Sequence, residues 1–342
     1  MSPLFERIAT VWRNALPECW HFGAVAVATP DGRLVARFGD PEAATFLRSA
    51  AKPVQALPLV LAGGIERHGL DTADLALICA SHGGTPAHTA RALSLLERGG
   101  FSVDDLQCGA HVPMDAEAAA DLRSRGLSPS PLHNNCSGKH AGMLLACRMH
   151  GWPASGYLEP DHPLQRAILD HLARLAGVPA ATIGLGTDGC SVPSYHLTLA
   201  AAARVYAILA HPRSAVGLPA QEVAALERIG AAMAAAPEMV AGPGRFTTRL
   251  IAATGGRVVG KEGAEGFYGL AVRGPVALGV ALKIADGGER CRDAVVLDVL
   301  RQLGSLAAAE LADLAGLDRP ALFNHRGLRV GEIVSEVDLE DV

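Results

Sequence analysis

Residues 21–38, HFGAVAVATPDGRLVARF, hold two apolar-rich runs joined by Pro30-Asp31-Gly32. A proline, an aspartate and a glycine in succession turn a chain back on itself, so the stretch reads as an antiparallel hairpin. Working outward, comparable runs return only towards the other end, at 257–260, 267–272 and 275–284, where the turn Asp286-Gly287-Gly288 closes the last of them. Residues 328–337 alternate apolar and polar side chains like an edge strand. Helical periodicity and capping signals fill the middle, at 53–61, 86–98 behind Thr85, 116–122, 140–149, 163–175 behind Asp161 and 194–209. Further helices are expected at 246–253, 292–303 and 305–314. Strands at both ends with helices between them predict an α+β fold, one antiparallel sheet built from both termini and packed against a helical middle. The lobes are discontinuous: 1–48 with about 235–342 sheet-rich, and about 49–234 mainly helical.

Composition narrows the function. The chain has 342 residues, 49% hydrophobic, with 30 Lys+Arg against 35 Asp+Glu and a formal charge of −5. Such a balance gives no broad positive field for nucleic acid or an anionic membrane. Glu6, Arg7 and Arg13 interrupt what an export signal would need as an apolar core, and Arg204 interrupts the longest apolar run, so neither secretion nor a membrane span is expected. Seven cysteines without compact spacing suit a reducing compartment, and the expected location is cytoplasmic. Of the thirty basic residues only four are lysine, Lys52, Lys139, Lys261 and Lys283. A composition that avoids lysine draws attention to those that remain, because an amine, unlike a guanidinium, can shed its proton near neutral pH.

Four neighbourhoods concentrate reactive groups. Arg48-Ser49-Ala50-Ala51-Lys52 contains S-x-x-K, which sets a hydroxyl and an amine on one face of a helical turn, and Pro53 favours a tight 3₁₀ turn there. The pattern alone carries little weight, since chance supplies it in roughly one such chain in six. Cys79-Ala80-Ser81-His82-Gly83-Gly84-Thr85 places a second serine and a histidine in a glycine-rich turn before a capped helix. His133-Asn134-Asn135-Cys136-Ser137-Gly138-Lys139-His140 puts a cysteine at a helix N-terminus, where a thiol loses its proton readily. Gly186-Thr187-Asp188-Gly189-Cys190 adds a carboxylate and another thiol, and two thiolates from separate loops suit a borderline divalent ion such as zinc. Unrelated turns that happen to carry cysteine would look the same. Lys261 lies in a glycine-rich loop that matches no phosphate-loop pattern, and Lys283 at the end of a strand is explained by snorkelling.

Eight motifs in order over residues 48–269, RSAAKP, CASHGGTPAHT, CGAHVPMD, HNNCSGKHAGML, LEPDHPLQ, GTDGCSVPSY, MVAGPGRFTT and GKEGAEGFYG, resemble the rhizobial-type L-asparaginases. The resemblance implies a fold similar to serine β-lactamases and glutaminases, a homodimer, and a zinc ion beside the reaction centre. It assigns catalysis to two Ser–Lys pairs, Ser49 with Lys52, expected to supply the attacking hydroxyl, and Ser81 with Lys261, expected to relay the proton to leaving ammonia, and zinc ligation to Cys136, Lys139 and Cys190, with Asp188 close by. A lysine that ligates zinc is neutral, so a lowered pKa is expected for Lys139. Charge complementarity makes Arg48 a candidate for the α-carboxylate of L-asparagine and Asp188 for its α-amino group, and His82 a further substrate contact. The alternatives are a Cys136 thiol amidohydrolase, a penicillin-recognising serine hydrolase, which the absence of S-D-N and K-T-G argues against, and a zinc- and amino-acid-binding module without turnover.

Overall fold

The computed structural model describes residues 4–342. Its strands are β1 (Glu6–Arg13), β2 (Leu16–Ala28), β3 (Leu34–Phe38), β4 (Ala44–Phe46), β5 (Gly184–Thr187), β6 (Pro193–Thr198), β7 (Val258–Glu262), β8 (Phe267–Val272), β9 (Leu278–Ile284), β10 (Ala321–Phe323), β11 (Arg329–Ser335) and β12 (Glu340–Asp341). The hairpin at 21–38 is β2 and β3, and Gly32 supplies the left-handed turn position at φ +91°. The two ends of the chain do build one antiparallel sheet, ordered β10-β11-β1-β2-β9-β8-β7, with β3 paired to β2 and β12. β2 is long enough to serve several partners: it pairs with β1 from Leu16 to Gly23, then with β3 from Val25, while β9 runs along Gly23–Ala28. The fold is α+β. β11, expected at the edge, lies inside the sheet between β10 and β1, and the short β10 takes the edge.

The chain divides into two compact units. One runs through Ala50 and adds Leu197–Val216 and Ala253–Val342; the other comprises Ala51–His196 and Gly217–Ala252. The division differs from the expected one chiefly in assigning Leu197–Val216 to the sheet. Its helix Leu199–Ala210, LAAAARVYAILA, is apolar on nearly every side and packs across β2, β8 and β9. A helix apolar all round is stable only when buried. Close approach depends on glycine in the strands below it: a Cβ on Gly279 would lie 1.9 Å from Ala203 O, and one on Gly269 would lie 2.1 Å from the Tyr206 ring. Tyr206 in turn donates its hydroxyl proton to Ala50 O at 2.7 Å, tying the helix to the turn that carries Ser49.

The same segment corrects the helix expected from residue 194. Pro193–Thr198 is a strand paired with β5, and Thr198 caps the helix that follows by accepting from Ala201 N. In the helical unit, Ser137–His150 is buried from Ser137 to Cys147 and crosses Thr72–Ile78 closely. Gly138 and Gly142 permit this, since added Cβ atoms would meet Leu77 O at 2.4 Å and Ile78 Cγ2 at 2.6 Å. Thr85 caps Pro86–Gly99 as expected, whereas His162 rather than Asp161 caps Pro163–Ala176. Among the described residues no helix is long and apolar enough to cross a membrane.

Candidate active site

The helix Thr72–Ile78 runs into a loop, Cys79–Gly84, that is buried throughout. Buried backbone must find partners. Ser81 N donates to Val240 O at 2.9 Å, His82 N to Asn135 O at 3.3 Å, and Asp115 N to Gly83 O at 2.9 Å. His82 is 0% exposed. Its Nδ1 accepts from Gly84 N at 3.1 Å, which leaves Nε2 to donate to Ser137 Oγ at 2.9 Å. Burial, with the charges of His88 and Lys52 acting in the same direction, holds its pKa well below the usual imidazole value. His82 is therefore a neutral brace for the loop that presents Ser81.

Lys52 follows the 3₁₀ turn Arg48–Ala51 that Pro53 favours. Its amine is 1% exposed and donates to Ala80 O at 2.5 Å, Ser81 Oγ at 3.0 Å and Asn135 O at 3.4 Å. Within the helical unit, the hydroxyl that Lys52 holds is Ser81. Ser49, half-buried, belongs to the sheet unit with Arg48 and Lys261. Arg48 sits at φ +51°, a left-handed conformation that costs a non-glycine residue about 1–2 kcal/mol. Lys261 lies on β7 rather than in a solvated loop, is 1% exposed, and donates to Glu262 O at 2.8 Å. Three of the four lysines are buried, the exception being Lys283, whose pKa burial lowers.

The thiol pair is the second cluster. Lys139 Nζ donates to Cys190 Sγ at 2.9 Å, and Asp188 Oδ2 lies 3.9 Å from the same sulfur. A hydrogen bond from Cys190 holds the Cys136 thiol well below its ordinary pKa and raises that of Cys190 correspondingly, so one proton serves two sulfurs. Burial works against charge on Lys139, but Cys136, Cys190 and Asp188 outweigh it and raise the amine's pKa. The reason is an ion pair: a thiolate within reach stabilises the ammonium form. Among the described residues no group of three His, Cys, Asp or Glu side chains is arranged to hold a metal ion. A metal here depends on Lys139 as a donor; two sulfurs, an amine and a nearby carboxylate are a donor set that fits zinc.

Sequence reasoning missed Arg245, which follows Gly242-Pro243-Gly244 in MVAGPGRFTT. Its Nη1 donates to Ser81 O at 3.2 Å and to Ala241 O at 3.5 Å, and lies 3.7 Å from Met114 Sδ. Gly242, at φ +123°, brings that loop against Gly83, where even a Cβ would stand 3.4 Å from the Gly83 nitrogen. The glycine-proline-glycine run ahead of a cation was the available signal. The helical unit therefore gathers Lys52, Ser81, Arg245, Cys136, Lys139, Asp188 and Cys190, while Arg48, Ser49 and Lys261 lie in the sheet unit.

The chain belongs to the L-asparaginase II family, which it matches over residues 9–335. Solved structures similar to it include Mglu in its native form, at 16% identity and a TM-score of 0.42, covering 83% of this chain and 65% of that one. A Bacillus glutaminase in the presence of 4.3 M NaCl aligns at 15% identity and a TM-score of 0.38, covering 83% and 91%. The chain spans just under two thirds of the length of Mglu. No curated protein matches it.

Proposed function

We propose that this protein hydrolyses the side-chain amide of L-asparagine to L-aspartate and ammonia through a seryl acyl-enzyme. The observation that carries the reading is the buried Lys52 amine 3.0 Å from Ser81 Oγ. Ser81 Oγ forms a bond to the amide carbon while its proton passes to Lys52 Nζ. The carbon–nitrogen bond then breaks, the proton leaves with the nitrogen as ammonia, and water cleaves the ester. The backbone around Ser81 is fixed by bonds from three other segments, so the hydroxyl needs little reorganisation. Asp188, held in the same unit as Ser81 and Lys52, meets the substrate's α-amino group.

Cys136, Lys139 and Cys190 would hold zinc, with Asp188 beside them; a bound divalent ion there supplies a positive charge able to polarise a carbonyl. All seven cysteines are free thiols, which supports a cytoplasmic setting, and the family resemblance supports a homodimer. The test is ammonia release from asparagine and glutamine by wild type, Ser81→Ala, Ser49→Ala and Lys52→Met. Loss of at least a hundredfold is expected in Ser81→Ala and Lys52→Met. Ser81→Ala retaining near-normal turnover would move the nucleophile to Ser49.

A further inference from the structure

We infer that Arg245 binds the α-carboxylate of the substrate, an inference that rests on the amino-acid amidohydrolase reading of this site. The Arg245 guanidinium is anchored at the carbonyl of Ser81 itself, 3.2 Å away, and is only partly buried. Met114, 51% exposed, stands between it and the loop before the Ser137 helix: its sulfur lies 3.7 Å from Arg245 Nη1 and 3.4 Å from Asn135 Nδ2. Asn135 O is also an acceptor of Lys52.

Ser81 thus has an amine at its hydroxyl and, at its own carbonyl, a planar cation that an exposed thioether adjoins. An asparagine molecule has matching parts in the same order. Its amide carbon and α-carboxylate are separated by three C–C bonds, about 4 Å when extended. A guanidinium is the cation best shaped for a carboxylate, and Arg245 is held by the same unit that holds Ser81, so cation and nucleophile keep their spacing.

The experiment compares L-asparagine with β-alaninamide, which is asparagine lacking the α-carboxylate, in wild type, Arg245→Gln, Arg245→Lys and Arg48→Gln. Arg245→Gln should lower kcat/KM for asparagine about 10- to 100-fold, mainly through KM, and change that for β-alaninamide less than threefold; Arg245→Lys should recover part of the loss. Equal losses on both amides would make Arg245 a support for the Ser81 loop and overturn the inference. A selective loss in Arg48→Gln with none in Arg245→Gln would overturn it as well. If wild type releases ammonia from neither amide, the asparaginase reading fails, and calorimetric binding of L-aspartate decides the inference separately. Binding tenfold weaker in Arg245→Gln upholds it; equal binding, or none to wild type, overturns it.

Discussion

Replacing Gly279 by alanine tests how closely the Leu199–Ala210 helix lies on the sheet and whether that closeness serves the site. The new Cβ would lie 1.9 Å from Ala203 O, 2.1 Å from Ala207 N and 2.8 Å from Ala207 Cα. All three are backbone atoms, so no rotamer change relieves the clash. Ordinary contact begins at 3.4 Å, so helix and strand must separate by 3.4 − 1.9 = 1.5 Å. Overpacking of this kind costs about 1–3 kcal/mol, and the upper end applies when only main chain can yield. For a large domain each kcal/mol lowers Tm by roughly 2 °C, giving a fall of roughly 6 °C. The displaced helix also carries Tyr206, whose bond to Ala50 O steadies the residue beside Ser49, and a misplacement of about 1 Å can reduce turnover a hundredfold. Thermal denaturation and ammonia release at 25 °C measure the two effects. Gly274→Ala is the control, since its added Cβ meets only Val276 O at 3.7 Å. A Gly279→Ala melt within a degree of wild type would refute the close approach.

Two further outcomes follow from buried charge. Burial alone would raise the Glu222 carboxyl, but His171 and Arg174 outweigh it and hold its pKa below the ordinary 4.5. Because the folded value is the lower one, the stabilisation is complete above pH 4.5 and is lost as pH falls through the folded pKa. Glu222→Gln should therefore destabilise the protein at pH 7 and flatten its acid-unfolding limb, as followed by circular dichroism; an unchanged acid limb would count against the ion pair. For the thiol cluster, metal analysis of purified protein should find zinc, and Cys190→Ser should reduce its content at least tenfold. Equal zinc in wild type and Cys190→Ser would place the metal elsewhere.

What the sequence revealed depended on how local the cause was. The 21–38 hairpin and Phe267–Val272 were legible because turn chemistry and apolar runs act within a few residues. β1 was not, because Ile8, Ala9, Thr10 and Val11 are all buried and a strand covered on both faces loses its alternation. Residues 194–198 resembled the helix behind them until Thr198 is seen to cap it. At the site, the scarcity of lysine pointed to Lys52, Lys139 and Lys261, all of which are buried. The pairing of Lys52 with Ser81 was beyond reach, since it spans 29 residues and is set by the Asn135 and Val240 backbones that position the loop.

The position of β2 in the sheet bears on how the protein is made. Gly23 faces Ile284 across the ladder, 284 − 23 = 261 residues later in translation. At a few residues per second, the first hairpin waits on the ribosome for tens of seconds before β9 exists to cover its edge. Trp20 and Phe22, still about half exposed in the finished protein, are the side chains a nascent-chain chaperone would meet meanwhile. Synthesis at reduced temperature or with chaperone co-expression should therefore raise the yield of native protein without altering its final stability.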